Sequence, residues 1–117
     1  MAELVDAFIE TESGERVKVG LDLPEIPSRV NVLFLVTHWS CAPNEEVIQS
    51  VLFEPPKGNP VRPPNAPLRA DENGRIEFKL ALTRLPFEFE GTYKFTISNG
   101  RDPQKTISVH GRKEIIH

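Results

Sequence analysis

The sequence contains little cysteine and no long hydrophobic run. Its single cysteine, Cys41, excludes a disulfide bond within the chain. No stretch approaches the roughly 20 apolar residues that a membrane-spanning helix needs, and acidic residues occupy N-terminal positions where a signal peptide carries bases. We therefore expect a protein of a reducing, cytoplasmic setting with no membrane contact.

Features of nucleic-acid-binding proteins and of common cofactor sites are also missing. The net charge is −3 and no dense run of lysine and arginine occurs, which argues against a nucleic acid partner. The seven glycines are scattered, so they form no phosphate-binding loop. The acidic pairs Asp71-Glu72 and Glu88/Glu90 lie in a predicted turn and near a predicted strand start, where solvated charge explains them. We expect a protein that is not an enzyme and binds no cofactor.

What the sequence does contain is period-two alternation of apolar and polar residues. In residues 16–23 the apolar side chains all fall on one face and the charged ones on the other, which is typical of a half-buried strand. No helical stripe of useful length is present. The alternation predicts seven strands, near residues 4–10, 16–23, 30–36, 46–54, 76–82, 90–98 and 105–110. Seven strands without intervening helices predict one all-β domain over residues 1–117, either a sandwich or a barrel.

The start of the sixth strand resembles strand F of an immunoglobulin-type sandwich. There a Gly-x-Tyr sequence opens the strand, and the matching residues here are Gly91-Thr92-Tyr93. The resemblance implies that Tyr93 is buried with its hydroxyl bonded to backbone near residues 87–91. It places Phe95 at the second disulfide cysteine, Leu21 at the first, and Phe34 at the strand-C tryptophan. Apolar replacement of the disulfide is what a cytoplasmic relative needs.

Over most of its length the chain also resembles a group of small bacterial sandwich proteins of unassigned function. The shared features are Phe8, the hairpin Ser13-Gly14-Glu15 leading to Val19-Gly20, the apolar third strand and residues 90–95. The resemblance implies a single immunoglobulin-like antiparallel β-sandwich of about seven strands with no disulfide. Because that group has no assigned role, the resemblance implies no active site.

Four chemically versatile residues, His38-Trp39-Ser40-Cys41, are adjacent after the third predicted strand. A metal site or a cysteine nucleophile would explain them. Zinc sites, however, usually draw on two ligand pairs, and a nucleophile needs a base and an oxyanion site; one cysteine and three histidines supply neither set. We expect instead that Trp39 closes the end of the sandwich, that Cys41 packs as a small hydrophobe, and that no metal is bound. Trp39 is retained as a candidate partner contact.

The most distinctive segment is rich in proline. Six of the eleven prolines fall between Pro55 and Pro67, and proline cannot donate to a β-ladder, so this stretch cannot be a regular central strand. We expect a Pro-rich crossover loop over residues 55–70. Because Pro64-x-x-Pro67-x-Arg69 also matches a pattern bound by SH3-type grooves, a structural crossover and a partner contact both remain open. In the second case the predicted contact residues are Arg62, Pro64, Pro67 and Arg69.

These observations favour an interaction module over an enzyme. We expect a rigid sandwich that presents loops or an edge strand to a protein partner, or that associates with itself. A structural or assembly subunit of a phage or secretion-type particle is the first alternative, because edge strands suit repeated contacts. A small-ligand sensor with a pocket at the Trp39 end is the second.

Overall fold

Alternating apolar and polar residues form β-strands throughout the part of the chain that the computed structural model describes. That part comprises residues 2–11, 13–14, 16–17, 21–22, 33–82 and 90–112. Nine strands lie within it: β1 (Glu3–Thr11), β2 (Arg16–Val17), β3 (Leu21–Asp22), β4 (Leu33–Ser40), β5 (Glu46–Glu54), β6 (Ala66–Arg69), β7 (Arg75–Ala81), β8 (Gly91–Asn99) and β9 (Asp102–Arg112). Two of them, β2 and β3, have only two residues each, which leaves seven longer strands.

The strands form two sheets that pack face to face. Sheet 1 has the order β2-β1-β4-β7, and sheet 2 has the order β3-β9-β8-β5-β6. Neighbouring strands are antiparallel except β3 and β9, which run parallel. Packing the apolar faces of the two sheets together removes both from water, which is why the alternating pattern gives a sandwich. The predicted all-β sandwich is confirmed, and the described residues contain no α-helix.

The core lies between the sheets and uses the inward positions of the long strands. On β8 these are Tyr93, Phe95 and Ile97, each at most 1% exposed. Phe53 of β5 lies beside them, with its ring centroid 5.7 Å from that of Tyr93 and 5.2 Å from that of Phe95. Burying a side chain of this size contributes about 1.5–3 kcal/mol. The predicted burial of Tyr93 is confirmed, whereas residues 87–89, expected near its hydroxyl, lie outside the described residues.

A buried polar group links the two sheets inside this core. Gln49 of β5 is 2% exposed, and its Oε1 accepts hydrogen bonds from Thr37 Oγ1 at 2.6 Å and Trp39 Nε1 at 2.9 Å. Both donors belong to β4 in the opposite sheet. A buried amide or indole N–H without a partner costs about 1–3 kcal/mol. The three side chains therefore satisfy one another and fix the alignment of β4 on β5.

The prediction of one continuous strand over residues 16–23 is wrong. Residues Arg16–Val17 pair with β1 in sheet 1, whereas Leu21–Asp22 pair with β9 in sheet 2. The chain thus changes sheets within this run. Alternation is the same on either sheet, so it gives no indication of such a change.

The positions that the resemblance assigned to Leu21 and Phe34 are also corrected. In the immunoglobulin fold strand C lies in the same sheet as strand F. Phe34 is on β4 in sheet 1, whereas β8, the strand that resembles strand F, is in sheet 2 and pairs with β5. Strand β5 therefore occupies the place of strand C. Leu21 lies on β3 at the edge of sheet 2, which is not the place of the inter-sheet cysteine.

Two local predictions about strand ends are revised. The third strand was predicted to end near residue 36, but β4 continues through Trp39 and Ser40, which pair with Leu4 and Glu3 of β1. The predicted strands 90–98 and 105–110 place the connection between them at residues 99–104. Asn99 pairs directly with Asp102, which leaves only Gly100 and Arg101 in the turn. A shift in register just before Ser98 accommodates this tight turn.

Candidate functional site

The Pro-rich segment runs along the edge of β5 in sheet 2 and ends in an edge strand. Val61 makes an isolated bridge with Phe53, with backbone hydrogen bonds of 2.8 Å in both directions. Residues Ala66–Arg69 then form β6, which pairs with β5. The expected crossover loop over 55–70 is therefore corrected at its end, where four residues are a strand. Val61 and Leu68 are partly buried and pack against the core.

Pro67 fits the edge strand because of the direction in which its nitrogen points. The N–H of Ile48 donates to Asn99 Oδ1 and its carbonyl accepts from the N–H of Gly100, so both backbone groups point toward β8. Pro67, which is paired with Ile48, therefore has its nitrogen directed away from β5 and loses no ladder bond. The open edge of β6 lacks a donor at this position, which makes it a poor template for strand addition.

The polyproline-ligand interpretation does not fit this geometry. Pro67 and Arg69 belong to a hydrogen-bonded β-strand, whereas polyproline recognition uses a free left-handed helix. Arg69 is also engaged, since Nη2 lies 2.6 Å from Glu46 Oε1 and Nη1 donates to the Asn44 carbonyl at 3.2 Å. Pro64 is exposed but presents no charge or donor.

Arg62 is the predicted contact residue that lies in a formed groove. Its Nη1 donates to Ser50 Oγ at 3.4 Å. Val47, Gln49 and Val51 of the same strand face the core, so Ser50 points outward, yet it is only 6% exposed. The Pro-rich segment thus forms a wall over this part of sheet 2.

The opposite wall is the tight turn between β8 and β9. The space between the walls, here called the hairpin groove, has a volume of about 450 Å³ and is lined by Ser50, Leu52, Arg62, Asn65, Thr96, Ser98, Gly100, Arg101 and Pro103. Its floor carries hydroxyls because Ser50 is paired with Ser98, and Thr96 is bonded across the sheet to Thr106 at 3.0 Å. Within the described ranges neither Arg62 nor Arg101 is paired with a carboxylate. The groove therefore offers two cationic donors and neutral hydroxyls, a set that suits carboxylate oxygens and peptide backbone.

Trp39 does not belong to an exposed contact surface. It is 1% exposed, its indole is bonded to Gln49, and it fills the core at one end of sheet 1. We therefore do not propose it as a direct partner contact.

Cys41 is a partly buried thiol at the same end. It packs against the core, and its N–H donates to the Gly74 carbonyl at 2.6 Å. Burial raises the pKa of the Cys41 thiol, and the nearby Glu45 carboxylate raises it further. A raised pKa lowers the thiolate fraction, which is opposite to what a nucleophilic cysteine needs. Among the described residues no group of three or more histidine, cysteine or acidic side chains is placed to hold a metal ion.

A second groove lies on the outer face of sheet 1 and was not predicted as a set of residues. It has a volume of about 600 Å³ and is lined by Val5, Asp6, Phe8, Arg16, His38, Trp39, Ser40, Arg75 and Ile76. We call it the bulge groove, because the β1–β4 register shifts between Leu4 and Asp6 and leaves Val5 as an extra residue. Only knowledge of the strand register could have grouped these residues, since they come from four strands.

Comparison with known proteins bears on the fold. No protein-family model and no curated protein matches the chain. The structure is similar to the crystal structure of an immunoglobulin-like protein from Pseudomonas aeruginosa, with a TM-score of 0.55, 11% sequence identity, and coverage of 96% of this chain and 97% of that chain. The described residues include no helix long and apolar enough to cross a membrane. At this level of identity the similarity shows the fold alone, an immunoglobulin-like β-sandwich.

Proposed function

We propose that this protein is a non-catalytic interaction module that binds an extended, acidic segment of a protein partner in the hairpin groove. The observation that carries the proposal is the position of Arg62 and Arg101. They stand on opposite walls of one groove, and neither is paired with a carboxylate in the described part of the chain. Hydrogen bonds between charged groups contribute about 1.5–3 kcal/mol each, so an acidic partner has two strong anchor points.

The shape and chemistry of the floor favour a peptide segment over a compact anion. Hydroxyls both donate and accept, so Thr96 and Ser98 match the alternating N–H and C=O groups of an extended chain. The arginines at the walls select acidic side chains on such a segment. Binding in the hairpin groove also fits the structure better than addition of a partner strand to the edge of β6, because Pro67 removes a backbone donor from that edge.

The proposal includes the setting of the protein. A single thiol and the absence of a disulfide suit a reducing, cytoplasmic environment. We infer that the chain is a relative of small bacterial sandwich proteins, on the fold similarity and the turn and core residues named above.

The test uses a defined probe, a nine-residue peptide of alternating glutamate and threonine, with a glutamine-for-glutamate peptide as its uncharged match. Binding is followed by ¹H–¹⁵N NMR at low salt, because charged contacts are screened as salt rises. The glutamate peptide is expected to shift the amide signals of Ser50, Ser98 and Arg101, and the glutamine peptide is not.

Two double variants remove equal charge from different places. Arg62→Ala/Arg101→Ala is expected to raise the Kd for the glutamate peptide at least about tenfold, the equivalent of losing about 1.4 kcal/mol. Lys79→Ala/Lys105→Ala removes two exposed cations outside the groove and is expected to change the Kd less than about twofold. Equal affinity of the two double variants, or no binding of the acidic peptide to the wild type, contradicts the proposal.

A further inference from the structure

The bulge groove has its own chemistry, distinct from that of the hairpin groove. The β-bulge in β1 directs Val5 outward, where it is 60% exposed. Bulges re-aim a side chain at the cost of local strand pairing and are frequent next to binding sites. Here the bulge adds an exposed apolar side chain to a groove that also contains aromatic and charged groups.

Arg16, Phe8 and His38 stack on one another and form one side of this groove. The Arg16 guanidinium lies 3.8 Å from the Phe8 ring centroid and is held there by Asp6, at 2.9 Å. The His38 ring is stacked beside Phe8, with centroids 6.0 Å apart and an interplanar angle of 23°. The His38 side chain is 38% exposed, so part of its ring is available for a further planar group.

The Arg75 side chain lies at the other side of the groove. Arg75 is paired with Ser40 across β4 and β7, so its side chain projects from the same face as those of Ser40 and His38. His38 and Ser40 are two residues apart on one strand, which is about 7 Å. The Arg75 side chain has no hydrogen bond or ion pair with any residue that the structure describes.

From this arrangement we propose that the bulge groove binds a small aromatic carboxylate. The ring stacks on the exposed part of His38 and contacts Val5, and the carboxylate pairs with Arg75. A phenyl ring joined to a carboxylate by two methylene groups has about the right length for the spacing of His38 and Ser40. Two acidic side chains, Asp6 and Glu77, fix the orientation of the ligand because they repel a carboxylate placed beside His38. Glu77 Oε2 lies 3.9 Å from His38 Nε2.

Three probes separate stacking from charge. 3-Phenylpropionate has both groups, 3-phenylpropanamide lacks the charge, and 3-cyclohexylpropionate lacks the planar ring. Each is titrated into the full chain while the amide signals of Val5, His38 and Arg75 are recorded, together with the single indole N–H signal of Trp39, which lines the groove. We expect 3-phenylpropionate to bind at least about fivefold more tightly than either analogue.

Matched variants locate the binding. Arg75→Gln is expected to bring the affinity for 3-phenylpropionate down to that of the amide, whereas Lys105→Gln, an exposed lysine outside both grooves, leaves it unchanged. His38→Ala is expected to remove the preference for the planar ring, and His110→Ala, an exposed histidine outside the groove, is not. Equal binding of the three probes, an acid preference that survives Arg75→Gln, or no signal change with any probe overturns the proposal.

Discussion

Replacing Gln49 with leucine keeps the approximate size of the side chain but removes the acceptor that joins the two sheets. In the wild type Gln49 Oε1 accepts hydrogen bonds from Thr37 and Trp39, and all three side chains are at most 2% exposed. Gln49→Leu leaves two buried donors without this partner, at about 1–3 kcal/mol each. The Thr37 hydroxyl can rotate toward another acceptor and leucine adds apolar burial, so we expect a net loss of about 2–4 kcal/mol.

A second substitution tests whether the loss arises from the orphaned donors. Thr37→Val removes one donor and, in the wild type, leaves Gln49 bonded to Trp39, so we expect it to cost less than about 1 kcal/mol alone. In the Gln49→Leu background the same change removes an unsatisfied hydroxyl. The double variant is therefore expected to be about 1–2 kcal/mol more stable than Gln49→Leu.

Urea denaturation measures these differences, with the fluorescence of Trp39 as the signal because it is the one tryptophan in the chain. A loss of 2–4 kcal/mol is a large part of the roughly 5–15 kcal/mol available to a domain and gives a clear shift in midpoint. If Gln49→Leu lies within about 0.5 kcal/mol of the wild type, or if Thr37→Val destabilises both backgrounds equally, the link does not contribute as argued.

The remaining predictions concern the end of the sandwich around Cys41. Gly74 and Gly100 both have positive φ, 74° and 60°, but an added Cβ would overlap the Cys41 carbonyl oxygen at Gly74 and would lie in open space at Gly100. Gly100→Ala is expected to cost about 1 kcal/mol and Gly74→Ala about 1–3 kcal/mol more, and equal midpoints in urea would refute the steric argument. Burial and the Glu45 carboxylate raise the pKa of the Cys41 thiol, so its thiolate fraction at pH 8 is lower than that of an unfolded cysteine. The rate of alkylation by iodoacetamide should therefore be lower in the native protein than in urea, and the native rate should keep rising above pH 9. Equal native and unfolded rates would refute this.

The bounds of three long strands are predictable from the sequence to within one residue. Strand β5 has the predicted bounds, and β7 and β8 are each displaced by one residue. Strand β6 was missed because Pro67 argues against a ladder, and an edge position with the nitrogen facing outward is visible only once the pairing with Ile48 is known. Alternation reports which face is buried, not which sheet a strand joins, so the division of residues 16–23 between two sheets was not predictable.

The candidate grooves were only partly predictable for a related reason. Arg62 was identified as an exposed base in a Pro-rich segment, and it does line the hairpin groove. Arg101 was not selected, since its position opposite Arg62 depends on the register that pairs Ser50 with Ser98. The spacing of Gln49 from Val47 and Val51 places all three side chains on the inward face of β5. A polar residue at an inward position is the one signal in the sequence that points to the link between the sheets.

The parallel pair formed by β3 and β9 has a consequence for how the domain opens. Its two residue pairs among the described residues join positions about ninety residues apart along the chain, so this contact carries a large loop-closure entropy. Segments with few contacts exchange their amide hydrogens through local opening rather than global unfolding. We expect β3 to release first, while the long antiparallel pair β8–β9 stays closed. Each such event uncovers the edge of β9 and offers it to another chain, so residues 21–22 act as a cover against edge-to-edge association.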